Sequence, residues 1–134
     1  MCGYRRHTMQ RTYIIVASIL GMIGVIIGAF GSHILEPIIG QRIETFKTGV
    51  EYHFVHTLAI LLVAVLAGQI GETRLLRWSA LLFVIGIVFF SGSLYVLCIS
   101  GVKILGAITP IGGVCFIAGW ILLAIAAARS AKRV

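Results

Sequence analysis

Three histidines, His33, His53 and His56, are the side chains of this sequence with the most chemistry to offer. His53 and His56 stand three apart in "GVEYHFVHTLAI", so on a helix turning ~100° per residue their rings share one face with Gly49 and Tyr52. Two imidazoles so placed could bind a metal or a haem iron, with His33 as a third ligand, although an H-x-x-H pair is a weak motif by itself. They could equally mark a route for a proton or small solute, or act as structural polar contacts between helices. The thiols do not strengthen the metal reading. Cys2, Cys98 and Cys115 form no C-x-x-C pair, and the last two lie inside apolar runs, where a thiol packs as a small apolar group. No carboxylate shares the histidine face: Glu44, Lys47 and Glu51 fall on the opposite stripe, spaced i,i+3 and i,i+4 as the pairs of an exposed helix end are. The sequence contains no Asp and no Asn, so its carboxylates are Glu36, Glu44, Glu51 and Glu72 alone. Asp dyads, Asp-oriented triads and Asn-linked glycans are thereby excluded. No nucleophile stands beside a base, and no Walker-type or G-x-G-x-x-G phosphate motif is present. No catalytic residue is assigned, the reading leans away from an enzyme, and no cofactor is expected beyond the metal or haem alternative.

The elements that position these groups follow from composition. Of 134 residues, 60% are hydrophobic and 11% charged, against roughly 25% charged in a soluble domain, which marks a membrane protein. Four apolar runs are long enough for a hydrocarbon core that takes about 20 helical residues: 13–32, 52–70, 78–98 and 104–128. The first follows Arg5, Arg6 and Arg11 and ends "GAFGS", much as a signal peptide does, but its apolar length favours an uncleaved span. Met9 offers an alternative start. The net charge of +7 is explained by topology rather than by nucleic acid. Arg5, Arg6, Arg11, Arg74, Arg77, Arg129, Lys132 and Arg133 fall on one side, and Arg42, Lys47 and Lys103 on the other, so the positive-inside rule puts both termini in the cytoplasm. The expectation is an all-α integral membrane protein: one domain over 1–134, a four-helix transmembrane bundle, multi-pass, with its partner the lipid bilayer.

Within that frame His56 lies ~24 Å and His53 ~28 Å from Glu72, toward the outer end of a core about 30 Å thick. Imidazoles at that depth are expensive unless they face the bundle. The other spans bring polar groups to a similar level: "GAFGSH" ends the first, "FSGSLY" lies in the third, and "GAITPIGG" opens the fourth, with Pro110 freeing carbonyls there. The sequence predicts one polar cluster of His33, Tyr52, His53, His56, Ser91, Ser93, Tyr95 and Thr109. Gly24, Gly28, Gly49, Gly112 and Gly113 are expected to let helices approach closely. The apolar connection 34–45, broken by Pro37 and Gly40, is read as an interfacial loop, either a lid over the histidines or an ordinary linker.

The blocks "GAFGSH", "FKTGVEYHFVHTLAILL", "FSGSLY" and "ITPIGGVCFIAGW" resemble those of a small bacterial membrane family, domain of unknown function 423, the YgdD and YwdK group, related to eukaryotic transmembrane protein 256. The resemblance runs from about residue 12 to 127 and implies four spans in the bacterial inner membrane, with no activity to carry over. Taken with the residues, it favours a non-enzymatic bundle acting as subunit, assembly factor or stabiliser of a membrane complex. The alternatives are a metal- or haem-binding protein using His33, His53 and His56, or a proton or small-solute pathway formed in a homo-oligomer.

Overall fold

The structure, a computed structural model, describes residues 8–131, and every described secondary-structure element is helical. Helix α1 spans Thr8–Phe30 and continues through a π-helical turn, Gly31–Leu35, into the short α2, Glu36–Ile39. A 3-10 turn, Gly40–Arg42, leads into α3, Ile43–Ile70. The third stretch is α4, Arg74–Gly86, a π-helical turn at Ile87–Ser91, and α5, Gly92–Ser100. A 3-10 turn, Lys103–Ala107, precedes α6, Thr109–Ala131. Three helical runs, Thr8–Ile70, Arg74–Ser100 and Lys103–Ala131, are apolar and long enough to cross a membrane. The molecule is therefore an all-α membrane protein.

The first run has 63 residues, ~95 Å if straight, and it folds back on itself. Positions facing each other across α1 and α3 are Gly21 with Thr57, Gly24 with Phe54, and Gly28 with Val50, a falling-against-rising register that makes the two helices antiparallel. The reversal occurs at Gly40, whose φ of 54° lies in the left-handed region that side chains disfavour. The 34–45 connection, expected as a loop, is helical almost throughout. Its run "ILEPII" has apolar positions to bury on a helical face, and Leu35 and Ile39 do so beside Phe46 and Cys98. Pro37 sits in the first turn of α2, directly after the π-helical turn.

The main core lies between α3, α4 and α6, where Ile60, Val63, Leu76, Phe83 and Phe116 are sealed from the surface. Small residues set how closely these helices lie. Phe116 occupies the space at Gly86 and Phe83 that at Gly119, a reciprocal fit of ring into glycine notch; a methyl at Gly119 would sit 2.7 Å from Phe83 Cε1. At Gly112 a Cβ would meet the backbone N of Phe90, so α6 and the π-helical turn touch main chain to main chain. The outward faces carry exposed Ile26, Leu58, Val88 and Ile117, the pattern of a surface solvated by lipid. At the opposite end from Gly40, α1 is capped from outside itself: one Glu72 carboxylate oxygen accepts from Met9 N at 2.7 Å and from Gln10 N at 3.2 Å. Pro110 lies in the first turn of α6.

Candidate functional site

His53 and His56 project from the buried stripe of α3 with Phe46, Gly49, Thr57 and Ile60, and both are almost fully enclosed. His53 Nε2 lies 2.8 Å from the carbonyl oxygen of Leu20 in α1. A carbonyl can only accept, so Nε2 carries the proton, and Nδ1 accepts from the Tyr95 hydroxyl at 3.0 Å. His56 is the opposite tautomer by the same reasoning: Nδ1–H donates to the Tyr52 carbonyl at 2.8 Å, and Nε2 accepts from the indole N–H of Trp120 at 3.1 Å. Each imidazole thus has one donor and one acceptor, and both are used.

The two rings lead into different surroundings. His53 reaches α1 through the gap left by Gly24, whose missing side chain makes room for the imidazole edge, and Tyr95 in turn lies against Gly49. His56 lies in an aromatic stack: Phe116 is parallel to it with ring centroids 3.5 Å apart, Phe83 and Trp120 are tilted against it, and the Tyr52 ring lies 5.9 Å away at 20° to it. Tyr52 also stacks on Phe90 at 4.5 Å. Around these, Ser91 donates to the Gly49 carbonyl at 2.6 Å, and Ser79 to the Gly119 carbonyl at 2.8 Å. Ser93 donates to the Phe90 carbonyl at 2.9 Å and so accepts from the Thr109 hydroxyl at 2.7 Å. Among the described residues no buried side-chain N or O lacks a partner.

The expected site residues are therefore distributed over several small contacts. His53 with Tyr95, Ser91 with Gly49, and Ser93 with Thr109 are each brought together, whereas Tyr52 is exposed and meets His56 through its backbone carbonyl and its ring. His33 is not among them. It is exposed on the π-helical turn beyond the end of α1, whereas His53 meets α1 back at Gly24 and Leu20, ~14 and ~20 Å of helix earlier. Equal rank in a hydropathy count placed His33 at the depth of His53; the antiparallel register of α1 on α3 separates them. A third imidazole is thus missing from the proposed ligand set, and among the described residues no group of three His, Cys, Asp or Glu is arranged to hold a metal ion. The ring nitrogens with lone pairs, His53 Nδ1 and His56 Nε2, point at donors of this chain.

Of the expected packing glycines, Gly24, Gly28, Gly49 and Gly112 lie at helix contacts, but Gly113 has its nearest neighbour 3.9 Å from where a Cβ would be. Gly86, absent from that set, is one of the tightest. Trp120, outside the expected set, supplies the donor that completes His56. The available signal was composition: an indole in the middle of an apolar span needs an acceptor, and His56 offers one of few. Cys98 is buried and donates weakly to the Arg42 carbonyl at 3.4 Å, while Cys115 is half-buried; Cys2 lies outside the described residues.

No solved structure matches. UPF0382 membrane protein YwdK of Bacillus subtilis (strain 168) is 42% identical over 121 residues, covering 90% of this chain and 98% of the relative. UPF0382 inner membrane protein YgdD of Escherichia coli (strain K12) is 42% identical over 125 residues, covering 92% and 95%, and UPF0382 membrane protein SH2409 of Staphylococcus haemolyticus (strain JCSC1435) is 39% identical over 117 residues, covering 87% and 94%. The family model described as protein of unknown function (DUF423) matches residues 27–113, the stretch holding both histidines, the serines and Thr109. With membrane-length apolar helices and relatives matched over nearly their whole length, the chain belongs to the DUF423 family, as a multi-pass protein of the bacterial inner membrane.

Proposed function

We propose that this chain is a four-crossing helix bundle with both termini in the cytoplasm, and that it works as a non-enzymatic subunit, assembly factor or stabiliser of a larger membrane complex. The observation that carries the reading is the complete engagement of His53 and His56: every ring nitrogen bonds a group of this chain, on α1, α3, α5 or α6. A catalytic or metal-binding histidine needs a free lone pair or a proton to give, and these two have theirs engaged within this chain, His53 by Leu20 and Tyr95 and His56 by Tyr52 and Trp120. Interhelical hydrogen bonds of this kind average about 0.6 kcal/mol in membrane proteins, so His53 to Leu20 and Tyr95, His56 to Trp120, Ser91 to Gly49, and Ser93 to Thr109 together set register more than they add stability. A continuous route for protons or solutes is poorly supported. Below the histidines the described core is Ile60, Val63, Ala64, Ala67, Leu76 and Ala80, with the hydroxyls of Thr57 and Ser79 each bonded to a backbone carbonyl.

The four crossings are supported by helix lengths: α1 at ~35 Å and α3 at ~42 Å each exceed a core about 30 Å thick, and they lie antiparallel. The orientation is supported by eight Lys and Arg on the terminal side against three on the other. Reporter fusions at residue 1, between Gly71 and Arg77, and at Val134 are expected to read cytoplasmic, and one beside Gln41 periplasmic; a periplasmic C-terminus refutes the orientation. For the role itself, the test is native gel migration and chemical cross-linking of the untagged chain in its own membrane. A discrete heteromeric assembly of fixed stoichiometry is expected, and a chain found only as monomer or homo-oligomer refutes it.

A further inference from the structure

The end of α3, the start of α4 and the end of α6 enclose a cleft of about 450 Å³ that the proposed function does not use. Its polar lining comes from Gln69, Thr73, Arg74, Arg129 and Ser130. The remaining lining, Ile70, Leu75 and Ala126, is apolar and continues into the membrane-length helices. Two arginines from different helices therefore line one cleft, and among the described residues neither is in an ion pair: the pair found there is Lys47 with Glu44, at the other end of α3. Glu72, the nearest carboxylate in sequence, is committed to Met9 N and Gln10 N. The first turn of α4 contains no acid. Thr73 caps α4 by accepting from Leu76 N at 3.3 Å, which leaves its own O–H to donate elsewhere, and the partial positive charge of a helix N-terminus adds to the same field.

An anion is what completes such a site. A phosphodiester offers one negative charge and two unbridged oxygens, which suits two planar guanidiniums. A soluble anion would satisfy the arginines and leave the apolar lining bare, whereas a lipid would place its headgroup on the basic wall and its chain along Ile70, Leu75 and Ala126. Basic pockets between transmembrane helices at the membrane surface bind anionic headgroups by this combination. We propose that the cleft binds the phosphodiester headgroup of an anionic phospholipid, with Arg74 and Arg129 on the phosphate, and with no dependence on which side of the membrane this end occupies.

The test uses the full-length protein released from detergent micelles and from nanodiscs containing equal phosphatidylglycerol and phosphatidylcholine, with bound lipid counted by native mass spectrometry. The parent is expected to retain phosphatidylglycerol about tenfold over phosphatidylcholine, and the Arg74→Gln/Arg129→Gln variant to fall to within about twofold. An Arg42→Gln/Lys103→Gln variant, equal in charge change and at the far end, keeps the parental ratio. Should the double variant be recovered unfolded, Arg129→Gln alone, at the exposed last turn of α6, must still lower the ratio by about threefold. Equal retention of the two lipids by the parent, parental selectivity in Arg74→Gln/Arg129→Gln, or displacement of phosphatidylglycerol by inorganic phosphate each overturns the proposal, the last by assigning the cleft to a soluble anion.

Discussion

The bond from Trp120 to His56 can be isolated by a double-mutant cycle of Trp120→Phe and His56→Leu. Trp120→Phe keeps an aromatic ring against Phe83 but removes the N–H that lies 3.1 Å from His56 Nε2. His56 is 4% exposed, so the orphaned acceptor has no water to turn to, and its penalty is about 1 to 3 kcal/mol. Bonds between membrane helices run lower, near 0.6 and at most about 1.7 kcal/mol, because the unfolded chain in the bilayer also finds partners. The overlap of the two ranges sets the expected cost of Trp120→Phe at about 1 to 1.7 kcal/mol. His56→Leu loses that bond, the bond to the Tyr52 carbonyl and the stack on Phe116, the last worth about 0.5 to 1.5 kcal/mol, for a total of about 2 to 3 kcal/mol. With leucine at 56 the indole has no acceptor to lose, so the double variant should be less destabilised than the sum by about 1 kcal/mol. The assay is reversible unfolding in mixed micelles with increasing denaturing detergent. If the singles destabilise and their effects simply add, to within a few tenths of a kcal/mol, Trp120 is not the partner that satisfies His56 and the tautomer assignment fails with it.

The glycine contacts predict opposite outcomes at adjacent positions. Gly112→Ala forces a methyl against the Phe90 backbone and should cost about 1 to 3 kcal/mol, whereas Gly113→Ala meets nothing closer than 3.9 Å and should be neutral or stabilising by up to about 1 kcal/mol; thermal unfolding in detergent distinguishes them. Glu72→Ala leaves the first N–H groups of α1 without an acceptor and should cost about 1 kcal/mol, with faster amide exchange at Met9 and Gln10 and none at the middle of α1. Lys47→Gln removes an exposed i,i+3 pair at 3.3 Å and should shift stability by no more than about 0.5 kcal/mol, a change visible as an unmoved unfolding midpoint.

What the sequence determined on its own is what depends on local composition. A chain with 60% hydrophobic residues and unbroken apolar runs has to be helical in lipid, since each helix satisfies its own backbone without any neighbour. Helical phase likewise settled that His53 and His56 face inward and that Glu44, Lys47 and Glu51 do not, because 3.6 residues per turn is fixed by the backbone and needs no tertiary information. What a residue touches across a helix boundary was decided only by the fold. His33 and His53 looked level by counting along the chain, but the register of α1 on α3 is set by which glycine receives which ring, Gly24 taking Phe54 and His53 and Gly31 taking Phe46, and that register leaves His33 outside. Trp120 reached His56, and Gly86 received Phe116, for the same reason: packing depends on the shapes of two surfaces together, and a single run of sequence carries only one of them.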